Sequence, residues 1–553
     1  MTAWPTPAAA AIVLGLVLSP LAASAPSAAA AGEPAPVSVT MIAALTAPER
    51  TTGFIPSELL ESYTGEFGLL TRQLDQVIDR PIALGIDPAI IASIRILGSE
   101  APESATAWLA RLESATNETF PLTWADADLS LALQAGSDGI LAPGSFAFAI
   151  NPTLFAAADT QDPEPTATST AEPGTEEPPT TGAPPLPTDE SLVAWNYTVS
   201  SIVWPAMNAV VGSDLTVLGE AYDTTILSSG NVGSTTAVRA LVDGSSVLIA
   251  NDTLSTQFSA TVASRPGPEW ELAMGEFATA VAAVPSTTDR PASVLLALGR
   301  EIPTSDTDLG LTVDTLAASA NVQTASLLDL VASPAVGTTI VDRPHTEADI
   351  DVVTTLLTLE QGDAAFVAIA EDPSRIIAQR RLQLLSTISA GWADTPTAWM
   401  AATTGFSRAS TTLRDSVKIV KTSSITLWAD RASLPVTISN DLNQSVTVYV
   451  TVRPLTPLLK VEDSFVAITV EPRSQRKAQI PVQSLSNGTV QLEVSLHRAS
   501  GVNVGETTYV STVVQAGWET PVTIGFAAAV VLVFAAGIVR TVIRRRRART
   551  DES

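Results

Sequence analysis

The stretch "PVTIGFAAAVVLVFAAGIVRTVIRRRR" near the C-terminus constrains this chain more than any other. From Pro521 to Val539 it carries no charge, and at 1.5 Å of rise per residue a helix of that length measures about 28 Å, enough to cross the hydrocarbon core of a bilayer. Trp518 stands at its outer boundary, and Arg540, Arg544, Arg545, Arg546 and Arg547 follow it. Residues 519–543 are therefore expected to form a single transmembrane helix, and 544–553 a basic cytoplasmic tail too short for a domain. Arginines favour the cytoplasmic side, so nearly everything before Trp518 is expected to face outward. The lipid bilayer is the first expected partner.

The other end reads "AAAAIVLGLVLSPLAASAPSAAAAGEPAP". Its apolar core, Ala8 to Leu18, is too short to span a membrane and is followed by small residues, as in a secretory signal. The region before that core lacks Lys and Arg, and Pro26 disfavours a cut after Ala25. Residues 1–31 are thus read as a signal peptide. Signal and stop-transfer helix together place the chain in the cell membrane, single-pass, with its ectodomain outside.

Charge and composition exclude more than they include. The formal charge is −27 although six arginines crowd the last stretch, so the body repels nucleic acid, and none is expected as a partner. With no cysteine there is no disulfide framework, thiolate zinc site or cysteine nucleophile. Two histidines, His345 and His497, fall in separate regions, which removes an imidazole metal site. A Ser-His-Asp triad would need one of them, and neither lies near a nucleophile-elbow pattern. No metal and no cofactor is expected.

Between the ends, the pattern predicts a multidomain chain, α/β followed by all-β. "VSVTMIAALT", "PIALGIDP" and "FPLTW" are continuous apolar runs that read as buried strands, separated by helical patterns such as "PSELLESYTGEFGLLTRQLDQVI" and "ESATAWLARLESA". That alternation argues for a parallel sheet covered on both faces, in a domain spanning 35–344. Residues 158–190, rich in Pro, Thr and Glu, read as a disordered insert, after which strand and helix patterns resume in "VSSIVWPA", "LTVLGEA", "TTILSSG" and "SVLLALG". A short helical section is expected at 345–412. From 416 to 516, strands about ten residues apart with turns at Asn440-Asp441, Pro472-Arg473 and Asn487-Gly488 predict an immunoglobulin-like β-sandwich.

Functional groups of a parallel α/β domain gather at the C-terminal ends of its strands. By these assignments they are Asp87, then Trp124, Asp126 and Asp128, then Trp204, then Glu220, Tyr222 and Asp223. Carboxylates beside aromatic platforms suit carbohydrate, and a glycosidase needs two carboxyls roughly 5 to 10 Å apart. Asp126, paired with Asp87 or Glu220, is the catalytic candidate; Trp124, Asp128, Trp204 and Tyr222 are ligand-binding candidates. The competing interpretation is capping. In "WADADLSLAL" Asp126 is placed as an N-cap with Asp128 in the first turn, and Asp87 precedes Pro88 as turn-forming residues do.

The order of signal, α/β region with "IALGIDPAII" and "FPLTWADADLSLAL", sandwich opening "SLPVTISNDLNQSVTVYVTV" and Arg-tailed helix resembles an actinobacterial family of uncharacterised secreted, single-pass membrane proteins. The resemblance implies a barrel-like first domain of the deacetylase and glycosidase type, and a gene often beside the lipid II flippase. It departs where chemistry sits, because such deacetylases hold a metal through an Asp and a spaced pair of histidines that this chain lacks. The function expected is a non-catalytic accessory or scaffold factor of the cell envelope, partnered by a cell-wall glycan or the lipid II flippase. A metal-independent glycan hydrolase is the alternative.

Overall fold

The computed structural model describes residues 35–155, 185–286, 292–300, 309–421, 424–429, 431–515 and 519–548. The expected signal peptide, most of the expected insert, Trp518 and the end of the tail lie outside them.

Ten strands build the first sheet: β1 (Val37–Leu45), β2 (Ala83–Ile86), β3 (Thr119–Pro121), β4 (Ile202–Val203), β5 (Thr224–Ser228), β6 (Arg239–Val242), β7 (Ser245–Ala250), β8 (Ser293–Ala297), β9 (Val322–Thr324) and β10 (Val336–Thr338). A path of parallel neighbours runs β3, β2, β1, β8, β7, β5, β4. The sheet curls: the backbone N–H groups of Thr198 and Val199, just before β4, donate to the Thr119 carbonyl of β3 at 2.9 and 3.1 Å. β1 shows why its sequence is apolar without alternation. Val39, Met41, Ala43 and Leu45 face the helical layer, while Ile42 and Ala44 face an inner core with Phe120, Ile226, Leu248 and Leu295. Gly85 in β2 lies on that crowded inner side, where a Cβ would come within 2.8 Å of the Phe120 ring.

Three corrections concern local structure. The segment "LTVLGEA" is not a strand but part of a helix, Gly212–Ala221, whose Asp214 side chain accepts from the Val211 N–H and fixes its start. The single helix expected after β1 is two, Ser57–Thr64 and Leu69–Val77, broken where Gly65 and Gly68 take extended backbone. The last residues of the expected disordered insert are ordered, because Thr188 and Ser191 form a reciprocal cap on a short helix, Asp189–Val193.

The helical section holds three helices, Glu347–Val367, Pro373–Thr387 and Pro396–Arg414. It touches both neighbours. The Ile388 carbonyl accepts from Asp128 N–H at 2.8 Å, and the Ile369 carbonyl accepts from Thr447 N–H at 2.8 Å. Beyond it, a four-stranded and a five-stranded sheet share one apolar core that includes Val436, Ile438, Val448, Val450, Ile480, Leu492 and Val494. A final helix, Glu519–Ala548, contains a 25-residue segment, Val522–Arg546, long and apolar enough to cross a membrane.

Candidate functional site

Parallel strands deliver their C-terminal ends to one edge, and here β1, β2, β3, β4 and β8 bring Arg50, Asp87, Asp126, Trp204 and Arg300 together. Asp87, 1% exposed, caps the helix Pro88–Arg95 by accepting from Ala89 N–H at 2.9 Å. It also accepts from Ala125 N–H at 2.8 Å, and Arg50 Nη2 stands 3.6 Å from its other oxygen. Burial pushes the Asp87 carboxyl above its ordinary range, against the pull of Arg50 and the two amides.

Asp126 does not cap. Ala125 and Asp126 both adopt left-handed backbone, φ 54° and 52°, at a cost of about 1 to 2 kcal/mol each. That turn aims the carboxylate of Asp126, 4% exposed, at Arg300, whose Nε lies 3.0 Å away but out of line for a hydrogen bond. The Arg300 guanidinium is held elsewhere: Nη2 donates to the carbonyls of Trp204 and Pro205, and the group lies 4.2 Å from the Trp204 ring centroid. Burial pushes Asp126 up to about 7; the attraction of Arg300 opposes this, and the nearby charges of Asp87, Asp128 and Glu49 reinforce it. Arg50 Nε and Nη2 and Arg300 Nη1 are buried and make no hydrogen bond, so the cluster is held by charge proximity more than by aligned bonds.

The cap belongs to Asp128, two residues on, which accepts from Ser130 and Leu131 N–H at 3.1 and 3.2 Å to start the helix Leu129–Gln134. Its other oxygen is 3.1 Å from His345 Nε2. Burial works against the charge on Asp128, but His345 and the hydrogen bonds prevail and hold it below the usual carboxylate range. His345 is correspondingly raised, Asp128 outweighing burial. Gln134 extends the group, accepting from the His345 backbone N–H at 2.8 Å and donating to Asp214 at 2.7 Å.

The aromatic candidates are packed inward. Trp124, 3% exposed, stacks on Phe146 at 4.9 Å and meets Phe54 edge-on at 5.5 Å. Trp204, 4% exposed, is covered by Arg300 and Phe120. Glu220 stands apart. It is exposed on the helix that leads into β5, and Tyr222 and Asp223 follow it at the entry to β5, the edge opposite Asp87 and Asp126. Arg50 and Arg300 are not singled out by the sequence, although both follow the ends of apolar strands just as Asp87 does, and for His345 the sequence gives no sign of its partner Asp128. Among the described residues, no three His, Asp or Glu side chains are arranged to hold a metal ion.

No curated protein matches the chain in sequence. Among solved structures it is similar to the 4-α-glucanotransferase of Thermococcus litoralis, with 8% identity, 84% of this chain and 85% of that chain covered, and a TM-score of 0.42. It is similar over 18% of its length to Escherichia coli α2-macroglobulin, of which it spans 7%, at 17% identity and a TM-score of 0.15. The PapD-like domain of human CEP192 shares 13% identity over 18% of this chain and 84% of that domain, with a TM-score of 0.14. One family profile matches residues 25–552, nearly the whole chain, and the chain therefore belongs to the family of unknown function DUF6049.

Proposed function

We propose that this protein is a membrane-anchored, extracytoplasmic factor of the cell envelope, non-catalytic, that serves as accessory or scaffold in the export or assembly of cell-wall precursors. Its α/β region is then a barrel-like domain of the deacetylase and glycosidase type, a proposal supported by the seven-strand parallel path whose two ends share backbone bonds. Its two-sheet region is an immunoglobulin-like spacer. One observation carries the non-catalytic reading: Asp87 and Asp126, the acids at the strand ends, are buried and face the chain's own Arg50 and Arg300. A substrate would have to displace the arginines that already oppose these acids. The expected partners are a cell-wall glycan or the lipid II flippase. The full-length protein, extracted in mild detergent from its native membranes, should carry one of them through purification; recovery free of any envelope component counts against the proposal.

A single observation favours the alternative, metal-independent glycan hydrolysis. Burial pushes the Asp126 carboxyl up to about 7, in the range a general acid requires at neutral pH. In that case Asp126 protonates the leaving oxygen, and Asp87, not the distant Glu220, is the second carboxyl.

A further inference from the structure

The two-sheet region ends where the apolar helix begins. Its strand Asn503–Val514 is followed by Glu519, the first residue of that helix. At about 3.5 Å per residue, the chain from Gln515 to Glu519 reaches at most about 14 Å. Whatever lies beside Val514 is therefore held close to any bilayer the helix crosses.

Register identifies those neighbours. The strand Ile425–Leu427 runs parallel to the last strand, with Leu427 opposite Val514, and the Gln515 N–H donates to the Leu427 carbonyl at 2.8 Å. Trp428 comes next and is 73% exposed. Gly488 also lies opposite Val514, so the turn before it projects from the same end and carries Leu485, 49% exposed. Leu455 sits slightly higher, its N–H bonded to the Gln491 carbonyl, and is 47% exposed. A large exposed tryptophan beside exposed leucines is costly in water and favourable at the boundary between headgroups and acyl chains, where an indole buries its ring and keeps its N–H wet. The charges around this end are mixed, with Arg431 paired to Glu462, so attraction to anionic lipid is not the driving force.

We propose that this end of the sandwich, led by Trp428 and Leu485, docks into the headgroup layer of the leaflet from which the protein's own helix emerges. The inference rests on the membrane-anchored reading above. Docking would fix the ectodomain's tilt, because the helix supplies one attachment and the sandwich tip a second.

The absence of cysteine gives a clean test, since any introduced cysteine is the only label site. Full-length Trp428→Cys, Leu485→Cys, Val502→Cys and Val531→Cys, each carrying a nitrobenzoxadiazole fluorophore, are reconstituted in phosphatidylcholine vesicles containing lipid spin-labelled either near the headgroup or deep in the chain. Val502 lies in the turn at the opposite end of the sandwich, and Val531 within the apolar helix. Emission at 428 and 485 should be quenched by the shallow label, that at 502 by neither, and that at 531 by the deep label. Quenching at 531 with none at 428 and 485 overturns the docking and leaves the anchor standing. No quenching at 531 overturns the anchor, and the docking with it.

Discussion

Two buried charge clusters in this protein use the same residue types to different ends. In the helical section, Asp363, 1% exposed, receives Arg380 Nε and Arg414 Nε at 3.0 Å each and the Ser410 hydroxyl at 2.7 Å. Arg380 is then used up: it donates to Ser410, Gln383 and the Phe406 carbonyl, and lies 3.7 Å over the Phe406 ring. At the strand ends, two aspartates face two arginines at 3.0 and 3.6 Å, with donors on both arginines left without a bond. The first cluster joins three helices. The second costs backbone strain and desolvation and joins loops.

The contrast can be broken by removing one partner from each. Asp363→Ala leaves Arg380, 7% exposed, without its counter-charge, and should cost about 3 to 5 kcal/mol in urea unfolding of the full chain. A loss no greater than that of an ordinary surface change would erase the distinction. Arg300→Met should cost less, because the Asp126 carboxyl can neutralise itself, and should cost more at pH 8 than at pH 5.

The sign follows from Asp126 alone. Its value rises from 3.8 in the unfolded chain to about 7 in the fold, so the native state holds the proton more tightly. Stability should fall as pH climbs from about 4 to about 7 and level off above. Asp126→Asn should flatten that slope; an unchanged slope would place its origin elsewhere.

The smallest effect is expected at His345, raised above 6.5 by Asp128. Its contribution is complete below pH 6.5 and is lost as pH rises through the folded value, while the part owed to Asp128 is lost as pH falls below 3.8. His345→Gln should therefore cost about 1 to 2 kcal/mol near pH 5.5 and little at pH 9, read as a shift in Tm. Equal losses at both pH values would reduce the pair to packing.

Much of the fold was legible because burial on both faces of β1, β2, β5 and β8 demands continuous apolar runs. The helix Gly212–Ala221 was misjudged because "LTVLGEA" is short and apolar enough to suit either period. The hairpin of β6 and β7 went unread despite "VDGS", where Asp243 and Gly244 take φ 50° and 93° and Gly244 meets no atom that a Cβ would strike. At the site, Asp87, Trp124, Asp126, Asp128 and Trp204 do gather at one edge. What could not be read was the left-handed turn at Ala125 and Asp126, which moves the cap by two residues, or the arrival of Arg50 and Arg300 from distant strands. Pairing between residues 126 and 300 leaves no periodic trace.

The most direct test concerns turnover. Purified full-length protein and its Asp126→Asn variant are incubated with peptidoglycan glycan strands, and released reducing ends are counted. If the strand-end acids are closed upon the chain's own arginines, the two should be indistinguishable from buffer. Release by the native protein that vanishes in Asp126→Asn, with Tm preserved, would contradict this and make Asp126 catalytic.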